Sequence, residues 1–327
     1  MAEINILFLA PHWRVSLIRA FQEARSELPC RGKWIGADSD PYAPARHVLD
    51  PYYILPRFDA PGCLEATLNI CRREAVHAVL PLTNKAIEFL DRHRAAFAAE
   101  PIRLFLNDPD TVETCHDKLK LAQRCDRLEI PVPPTYLLES FSGGEHPFPL
   151  FAKPRRGEGG KSAFAVEDKR DLEYLAAKYP GHVVQPLIRG MEYSVDWFSD
   201  QGGTPIVIVP RERLRVRAGE VAASRVRLDP SIIEAARTAG TRLGLRGPCT
   251  LQGILDDSRR FFFTDVNLRF GSGSVHAIAA GAPIPLLIYR ELLGELPKTP
   301  ASPVRDGSVM TRFNDAFFDH PASTGKK

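Results

Sequence analysis

The 327-residue chain is 44% apolar and 25% charged, the composition of an ordinary soluble globular protein with two or three subdomains. Its formal net charge of +3 is too small to indicate nucleic-acid binding, although it suits a protein that handles anionic small molecules. No stretch approaches the roughly 20 apolar residues of a membrane span, and the first apolar run is too short for a signal peptide. We therefore expect a protein that is neither exported nor embedded in a membrane.

Six cysteines are spread along the chain without a C-x-x-C pair or the framework of a small secreted domain. Buried, reduced thiols are the favoured interpretation, and a reducing cytoplasm is the expected location. The six are Cys30, Cys63, Cys71, Cys115, Cys125 and Cys249.

Strands and helices alternate over the first hundred residues. Residues 4–10 (INILFLA) form the apolar run of a buried parallel strand, and RVSLIRAFQEARSE has apolar residues at helical spacing. A strand in GKWIGADSD, a helix over residues 64–73, the strand HAVLPLT, the helix NKAIEFLDRHRAAFA and the strand IRLFLN follow. This order predicts a doubly wound α/β domain ending near residue 108, with ligand-facing turns at the carboxyl ends of its strands.

Mixed elements follow residue 108. The segment DPDTVETCHDKLKLAQRCDRLEI predicts one capped helix, ended by the prolines at positions 131, 133 and 134. FPLFAKP and SAFAVED predict strands on either side of a glycine-rich turn, before a helix near residues 172–178 and the strand GHVVQPLI. Strands dominate from residue 191, with helices around residues 232–243 and in PIPLLIYRELLG. DGSVMTRFNDAFF adds one edge strand, and residues 321–327 are expected to be a disordered tail.

The segment FTDVNLRFGSGS ends an apolar strand with polar side chains at alternate positions. Strand geometry places Asp265, Asn267 and Arg269 on one face. Carboxylate and amide oxygens suit magnesium, and an arginine neutralises phosphate oxygens, so this face suits a magnesium-bridged polyphosphate. A solvated polar strand end is an equally good interpretation of the segment alone.

A glycine-rich loop in AKPRRGEGGKSAF is the second candidate. Lys153 ends a strand, and the backbone N–H groups of the following turn can close over phosphates. The loop matches neither the P-loop pattern nor the Rossmann G-x-G-x-x-G pattern. Alone, it is more simply a flexible hairpin turn. Its residues are Gly157, Gly159, Gly160, Lys161 and Ser162.

The third candidate, VVQPLIRGMEYSVD, leaves the glycine-loop region and enters the next lobe. Backbone carbonyl and N–H groups at such a hinge can bind an adenine edge, and Glu192 is placed to bind ribose hydroxyls. A solvated hinge glutamate is the simpler alternative when the segment is taken alone.

Together and in this order, the three segments resemble the ATP-grasp superfamily, and within it the single-chain proteins similar to the carbamoyl phosphate synthetase large chain. The resemblance runs from RVSLIRAF, ADSDPYAPA and VLPLTNKAIEFL to the terminal MTRFNDAFF. It implies an N-terminal α/β preATP-grasp domain over residues 1–108. The α+β remainder would comprise a small lid subdomain over residues 109–187 and a large subdomain with the metal site over residues 188–320.

This resemblance also implies residue roles. Lys118 in HDKLKL and Lys153 in FAKP would contact ATP phosphates, and the glycine loop would be a mobile lid. The carbonyl of Pro186 and the N–H of Ile188 would bind adenine, since a proline lacks only the N–H group. Glu192 would bind ribose. The implied hinge consists of Gln185, Pro186, Leu187 and Ile188.

The implied metal site consists of Gln252, Asp265 and Asn267 around Mg²⁺, with Mn²⁺ as a possible substitute. Arg269 would contact the transferred phosphate. Two positions depart from the family pattern, which commonly has glutamate in place of Asp265 and of Gln185. The shorter aspartate leaves open whether one or two metal ions bind, whereas Gln185 can still accept and donate hydrogen bonds at adenine.

Four arginines alternate in the strand RERLRVRAGE, where period-two spacing would place Arg211, Arg213, Arg215 and Arg217 on one face. A solvated basic edge that blocks strand pairing is one interpretation. The resemblance instead favours Arg211 and Arg217 at the phosphate and the acyl substrate, so that they and Arg269 would be the catalytic cations.

Polar residues also follow the first two predicted strands. His12 with Trp13, and Asp38 with Asp40, could contact the second substrate at the carboxyl ends of these strands. Turn capping is the more common role for side chains at such positions.

These features predict an ATP-dependent carboxylate–amine (or carboxylate–thiol) ligase of the EC 6.3 type. Mg-ATP would phosphorylate a carboxylate, and a nucleophile would attack the acyl phosphate. The expected partners are a small-molecule carboxylate and an amine, such as amino acids or peptides, without nucleic acid or membrane, and a homodimer is a possible assembly. Two alternatives remain: a small-molecule kinase on the same fold, and a non-catalytic nucleotide-binding subunit.

Overall fold

The computed structural model describes residues 1–142, 144, 146–157, 162–217, 219–297 and 303–319. Within these ranges the strands form a parallel sheet, two antiparallel sheets and a separate two-stranded ribbon. Three residues expected in the glycine loop lie outside the described residues, as does the expected tail over residues 321–327. The three are Gly159, Gly160 and Lys161.

The N-terminal sheet is parallel, with the strand order β5-β4-β2-β6-β7. Its strands are β2 (Ile6–Leu9), β4 (Trp34–Asp38), β5 (Tyr52–Ile54), β6 (Ala78–Pro81) and β7 (Arg103–Leu104). The ribbon pairs β1 (Ala2–Glu3) with β3 (Cys30–Arg31). Helices α1 (Val15–Ser26), α2 (Cys63–Arg73), α3 (Asn84–Arg92) and α4 (Arg94–Ala98) and a 3₁₀ turn (Pro44–Val48) connect these strands.

Helices cover both faces of this sheet, as a doubly wound domain requires. In β2, Ile6 and Phe8 pack in the apolar cluster that contains α1, whereas Leu7 and Leu9 pack in the cluster that contains α2 and α3. All four side chains are fully buried. The continuous apolar run of this strand is therefore explained by burial on both sides, and the predicted doubly wound architecture is confirmed.

One long helix was expected after residue 108, but the structure contains α5 (Pro109–Cys115) and α6 (Lys118–Arg127). The break occurs at Asp117, whose Oδ1 accepts hydrogen bonds from the backbone N–H groups of Leu119 (3.1 Å) and Lys120 (3.2 Å). An aspartate that caps the N-terminus of α6 ends the preceding helix, because a capping residue has non-helical backbone angles.

The small antiparallel sheet has the order β10-β9-β11-β8. Its strands are β8 (Tyr136–Leu137), β9 (Leu150–Pro154), β10 (Phe164–Val166) and β11 (His182–Pro186), and α7 (Lys169–Lys178) packs on it. This unit has an apolar cluster of its own, formed by Leu138, Leu150, Ala152, Val166, Leu172, Leu175 and Val184. The two larger clusters instead mix residues of the parallel sheet with residues of the large antiparallel sheet.

The large antiparallel sheet has the order β16-β15-β12-β13-β14-β17. Its strands are β12 (Met191–Ser199), β13 (Pro205–Arg217), β14 (Glu220–Val226), β15 (Gly247–Leu255), β16 (Phe261–Asn267) and β17 (Val309–Thr311). Helices α8 (Pro230–Arg242), α9 (Ser274–Ala279) and α10 (Ile284–Leu292) belong to the same part of the chain. The predicted edge strand is confirmed in β17, whereas β14 was not predicted.

The four arginines of β13 do not share one face, and that expectation was wrong. The pairing of β13 with β14 is irregular between Arg213 and Arg215 and again between Arg215 and Val216. An irregular register interrupts the two-residue alternation of a strand. Arg211, Arg213 and Arg217 pair with alternate residues of β14, whereas Arg215 pairs with Ala223, one position out of that series. Arg211 is buried and Arg213 nearly so, and Arg215 and Arg217 are exposed near the end of the hairpin.

All six cysteines are buried and free, so the expectation of buried thiols is confirmed. Burial raises the pKa of Cys71, Cys125 and Cys249 to about 12, which keeps these thiols protonated. In the described part of the chain, no helix has the length and apolar character needed to cross a bilayer.

Candidate active site

The three polar side chains at the end of β16 form one series of contacts. Arg269 Nη2 donates to Asn267 Oδ1 at 3.2 Å, and Asn267 Nδ2 lies 3.5 Å from Asp265 Oδ2. In the neighbouring strand β15, Gln252 pairs directly with Asp265. Directly paired residues of antiparallel strands project to the same face of the sheet. The side chains expected to bind metal therefore lie on two adjacent strands, where Gln252 in the middle of β15 pairs with Asp265 near the end of β16.

This strand end offers one carboxylate, from Asp265, and two amide groups, from Gln252 and Asn267. No group of three or more His, Cys, Asp or Glu side chains capable of holding a metal occurs among the described residues. Magnesium commonly binds to one or two carboxylates together with substrate phosphates. The three oxygen-bearing side chains thus fit a Mg²⁺ ion that arrives with a polyphosphate.

Lys153 joins the small sheet to this strand end. It is buried at the end of β9, and its Nζ donates to the backbone oxygen of Thr264 in β16 at 3.1 Å. Burial is the main cause that lowers the pKa of Lys153 to about 8; the Asp265 carboxylate opposes this shift, and the nearby Lys118 adds to it. A phosphate anion at this point would favour the protonated amine and raise that pKa.

Lys118, the first residue of α6, contacts the beginning of the glycine loop. Its Nζ donates to the backbone oxygen of Gly157 at 3.0 Å, and its backbone N–H donates to the oxygen of Arg155 at 3.0 Å. Gly157 has φ +114°, which favours glycine. At the far end of the loop, the oxygen of Ser162 lies 3.1 Å from His182 Nε2.

Asp117 holds the base of the same loop. Arg155 Nε lies 2.8 Å from both carboxylate oxygens of Asp117, and Arg156 Nη2 lies 3.5 Å from one of them. Asp117 is fully buried, whereas both arginines remain partly exposed. This aspartate therefore performs two tasks, since it caps α6 and fixes the strand end that leads into the loop.

The hinge residues follow β11. Gln185 is buried, and its Nε2 donates to Thr135 Oγ1 at 2.7 Å. Leu187 donates its backbone N–H to the oxygen of Pro149 at 3.3 Å, and Pro186 and Ile188 are half-buried beside it. The Gln185 side chain is thus oriented by a neighbouring hydroxyl.

On the far side of the hinge, Glu192 in β12 is half-exposed and pairs with Arg213, with Glu192 Oε2 3.1 Å from Arg213 Nη1. Burial lowers the pKa of the Arg213 guanidinium, and the Glu192 and Asp265 carboxylates oppose that shift. Arg213 thus pairs with the residue expected at ribose, and the carboxylate expected at the metal acts on its charge.

Arg211 lies beneath the turn that precedes α9, where it forms a buried ion pair with Asp196. Its Nε donates to Asp196 Oδ2 at 2.5 Å, and Asp196 Oδ1 accepts from Ser274 Oγ at 2.5 Å. Arg211 and Asp196 are each 1% exposed. In the described part of the chain, Arg211 Nη1 has no hydrogen-bond partner, and a Cβ atom on Gly273 would lie only 2.6 Å from it. Gly273 therefore provides the space in which this guanidinium lies.

Sequence reasoning missed a second buried polar group beside Arg211. His276 Nδ1 lies 2.8 Å from Ser224 Oγ, and His276 Nε2 lies 3.2 Å from Ser308 Oγ. Burial and the Arg211 charge lower the pKa of His276, so the ring is neutral at pH 7. Neither serine is close to His276 in the sequence. Asp196 was missed too, although an acid in the apolar strand EYSVDWF was a usable signal.

In the N-terminal domain, the Asp38 side chain accepts hydrogen bonds from the backbone of the turns beside it. Asp38 Oδ2 accepts from the backbone N–H of His12 at 3.2 Å, Oδ1 accepts from that of Asp40 at 3.1 Å, and His12 Nδ1 is 3.4 Å from Oδ2. Trp13 is 74% exposed. The capping role considered for Asp38 is therefore present.

Comparison with known families and structures gives consistent results. Residues 6–105 match the family model of a PylC-like N-terminal domain, and residues 115–273 match that of an ATP-grasp domain. A comparison with curated proteins gives no match.

Three solved structures are similar over most of the chain. A complex of biotin carboxylase with β,γ-ATP from Campylobacter jejuni has 18% identity and a TM-score of 0.71, covering 89% of this chain and 71% of that one. L-amino acid ligase from Bacillus licheniformis has 18% identity and a TM-score of 0.71, covering 94% and 79%.

The third is the biotin carboxylase domain dimer of 2-oxoglutarate carboxylase from Hydrogenobacter thermophilus, in complex with MgADP, ADP and bicarbonate. It has 17% identity and a TM-score of 0.73, covering 93% of this chain and 73% of that one. At such identities the similarity establishes a shared fold, in agreement with the predicted architecture.

Proposed function

The chain belongs to the ATP-grasp superfamily, and on this premise we propose that it is an ATP-dependent carboxylate–amine ligase. The γ-phosphoryl group of ATP would pass to a substrate carboxylate, giving an acyl phosphate and ADP. An amine would then attack the carbonyl carbon, forming an amide and releasing phosphate. A thiol is the alternative nucleophile. The finer likeness to carbamoyl phosphate synthetase remains a prediction.

The observation that best supports this proposal is the position of Lys153. Its ammonium group bonds to Thr264 in β16 and lies beside both Asp265 and Lys118. The small sheet therefore contributes a cation next to the strand end with the candidate metal ligands. Phosphoryl transfer depends mainly on such positioning and charge neutralisation.

Each candidate residue has a role in this scheme. Lys118 and Lys153 would bind phosphate oxygens, and Arg269 would neutralise charge on the transferred phosphoryl group. A bound Mg²⁺ would neutralise the same phosphates, and Mn²⁺ is proposed as a substitute. The side chains proposed to hold the ion are Gln252, Asp265 and Asn267.

We also propose that the glycine loop closes over the phosphates and that the hinge over residues 185–188 binds adenine. Glu192 would bind ribose after exchanging its contact with Arg213 for hydroxyl groups. Arg211 would face the acyl substrate through Nη1, which lies beneath Gly273 and has no hydrogen-bond partner among the described residues. Arg217 would contact the same substrate after the hairpin of β13 and β14 folds inward.

Several properties of the whole molecule belong to the same proposal. The boundaries near residues 108 and 187 would separate the N-terminal domain, the lid and the large subdomain. The six buried thiols suit a reducing compartment such as the cytoplasm. Small-molecule substrates, amino acids or peptides among them, are proposed as partners, and a homodimer as the assembly.

An ADP-release screen of carboxylic acids with added hydroxylamine tests the function. Hydroxylamine attacks an acyl phosphate and leaves a stable hydroxamate, so we expect a carboxylate-dependent hydroxamate together with ADP. Asn267→Ala should abolish both products while the protein stays folded, because a metal ligand is lost where phosphate charge is neutralised. Asn69→Ala, which removes an exposed amide on α2, is the matched control.

Two outcomes would contradict the ligase. ADP release with a stable phosphorylated product and no hydroxamate would indicate the kinase. Nucleotide binding without turnover across the whole screen would indicate the non-catalytic subunit.

A further inference from the structure

Gln185 and Lys153 project from the same face of the small sheet. In the pairing of β11 with β9, Gln185 lies opposite Phe151 and Val183 lies opposite Lys153. Directly paired residues share a face, and so do residues two apart along a strand. The opposite face, with Val184, packs in the apolar cluster of this sheet. A nucleotide with its phosphates at Lys153 would therefore have its base roughly 7 Å farther along this face, at Gln185.

Thr135 lies beside Gln185, directly before the edge strand β8. The register of β8 with β11 places Tyr136 opposite Val184, so the next position of this antiparallel pair brings Thr135 opposite Gln185. Gln185 Nε2 donates to Thr135 Oγ1 at 2.7 Å. The Gln185 side chain is 6% exposed, whereas Thr135 is half-buried. The threonine is thus the neighbour that meets the amide of the buried glutamine.

The hydroxyl proton of Thr135 is used in a second hydrogen bond. Thr135 Oγ1 donates this proton to the backbone oxygen of Pro133 at 2.8 Å. A carbonyl oxygen only accepts hydrogen bonds, and a threonine hydroxyl has a single proton to donate. Oγ1 can therefore only accept from Gln185, which requires the NH₂ group of the amide, and not its oxygen, on this side.

The two hydrogen bonds together fix the orientation of the Gln185 amide. With Nε2 held at Thr135, Oε1 lies on the other side of the amide group, and among the described residues no group donates a hydrogen bond to it. The glutamine therefore offers a ligand an acceptor, because its donor is used within the protein. Glutamate, which the family pattern commonly has at this position, has two equivalent oxygens and needs no such orientation.

We propose that Thr135 is a positioning residue that fixes Gln185 Oε1 toward the nucleotide base and thereby selects a purine with an amino group at C6. An amino group donates to Oε1, whereas an oxygen atom at C6 would bring two acceptors together without a proton between them. The inference rests on the proposed function, because it takes the hinge over residues 185–188 as the base site. It adds to that site a residue outside the hinge that decides which base is accepted.

Competition against a fluorescent ADP analogue measures the affinities of three diphosphates without turnover. Inosine diphosphate (IDP) has oxygen in place of the C6 amino group of ADP, and purine riboside diphosphate has only hydrogen there. We expect the wild-type protein to bind ADP at least about tenfold more tightly than either, the factor for one hydrogen bond.

Thr135→Val replaces the hydroxyl by a methyl group of similar size, so the amide of Gln185 is free to turn its Nε2 toward an oxygen at C6. We expect the ratio of ADP affinity to IDP affinity to fall about tenfold, with tighter binding of IDP than in the wild type. A purely structural role of Thr135 would instead weaken all three diphosphates alike. Thr135→Ala takes the place of Thr135→Val if the valine variant does not fold.

Three further variants are the controls. Thr135→Ser keeps the hydroxyl and should keep the wild-type ratio. Gln185→Glu has an acceptor on both sides, so adding Thr135→Val to it should change the ratio by less than about twofold. Thr67→Val makes the same exchange on α2, at a buried hydroxyl that donates to the oxygen of Cys63 at 2.7 Å, and should leave every affinity unchanged.

Three results would overturn the inference: the wild type binds the three diphosphates equally, Thr135→Val keeps the wild-type ratio, or Thr135→Val lowers the ratio equally in the Gln185→Glu background. Failure of the two proposals can be separated. Selectivity for ADP that is lost in Thr135→Val, in a protein that releases ADP with no carboxylate, would contradict the ligase alone. Carboxylate-dependent amide formation by the wild type, together with an unchanged ratio in Thr135→Val, would contradict the role of Thr135 alone.

Discussion

Lys153 is the residue at which the small sheet and the strand end of β16 meet, and its pKa of about 8 makes nucleotide binding sensitive to pH. An anionic phosphate raises the lysine pKa in the complex, so the added affinity is fully present below the free-protein value. It is lost as the pH rises from about 8 through the pKa of the complex. We expect constant affinity for a fluorescent ADP analogue between pH 7 and 7.5 and a progressive loss above pH 8.

The control for this prediction is Lys153→Met, which should bind more weakly and show no break near pH 8. If the affinity of the wild-type protein for the ADP analogue is constant up to pH 10, Lys153 does not contact phosphate. Asp265 and Lys118 are the charged groups that act on Lys153 in the nucleotide-free protein.

Arg211 and Arg217 had the same expected role, but their surroundings differ sharply. Arg211→Ala would leave Asp196 as a buried carboxylate without its cation, which costs about 3–5 kcal/mol of unfolding free energy. Arg217→Ala removes an exposed side chain and should change stability by less than about 0.5 kcal/mol. Urea denaturation of the two variants measures both values. A similar, small effect in each would contradict the buried pair.

At the scale of elements, the junction between α6 and the glycine loop is held by Asp117. Asp117→Asn keeps an N-cap acceptor, since asparagine caps as well as aspartate, but removes the charge that holds Arg155 and Arg156. We expect faster hydrogen exchange over residues 155–157 and about tenfold weaker binding of an ATP analogue, the order of one charged hydrogen bond. Glu113→Gln, which breaks an exposed pair with Lys120, is the control. Unchanged exchange and affinity in Asp117→Asn would refute the role.

The link between the hinge and β12 depends on Gly190. Its φ is +153°, and a Cβ atom there would lie 2.1 Å from the backbone oxygen of Leu255. Gly190→Ala should therefore cost more than the roughly 1–3 kcal/mol of backbone strain alone. Gly203 also has a positive φ, but nothing lies within 4 Å of a Cβ atom added there. The loss of unfolding free energy in Gly203→Ala therefore measures the backbone strain without a steric clash. Equal unfolding free energies for the two variants would contradict this account.

Elements set by local patterns were predictable, and elements set by distant partners were not. The alternation in TDVNLRF was sufficient to place Asp265, Asn267 and Arg269 together, because a strand repeats every two residues. The same rule failed in β13, where the register irregularities depend on the pairing with β14. An aspartate followed by a helical run indicates the break before Lys118, whereas the apolar spacing of the whole segment predicts one continuous helix.

For the whole molecule, the order of elements was enough to predict the architecture, since β-α alternation followed by antiparallel strands allows few arrangements. The polar network around Arg211 could not be predicted in the same way. His276 meets Ser224 and Ser308, which lie 52 and 32 residues away in the sequence. These contacts depend on how β14 and the C-terminal segment pack together. A local sequence pattern carries no information about that packing.

The central claim, an acyl phosphate formed from a carboxylate, is tested most directly by following oxygen. A carboxylate found in the screen is labelled with ¹⁸O in both oxygens and incubated with the enzyme, Mg-ATP and an amine. Attack on the γ-phosphorus places one substrate oxygen between carbon and phosphorus, and amine attack on the carbonyl carbon then leaves that oxygen in phosphate. We predict one ¹⁸O atom in each phosphate, in equal amount to the amide. Amide formed together with unlabelled phosphate would contradict the account.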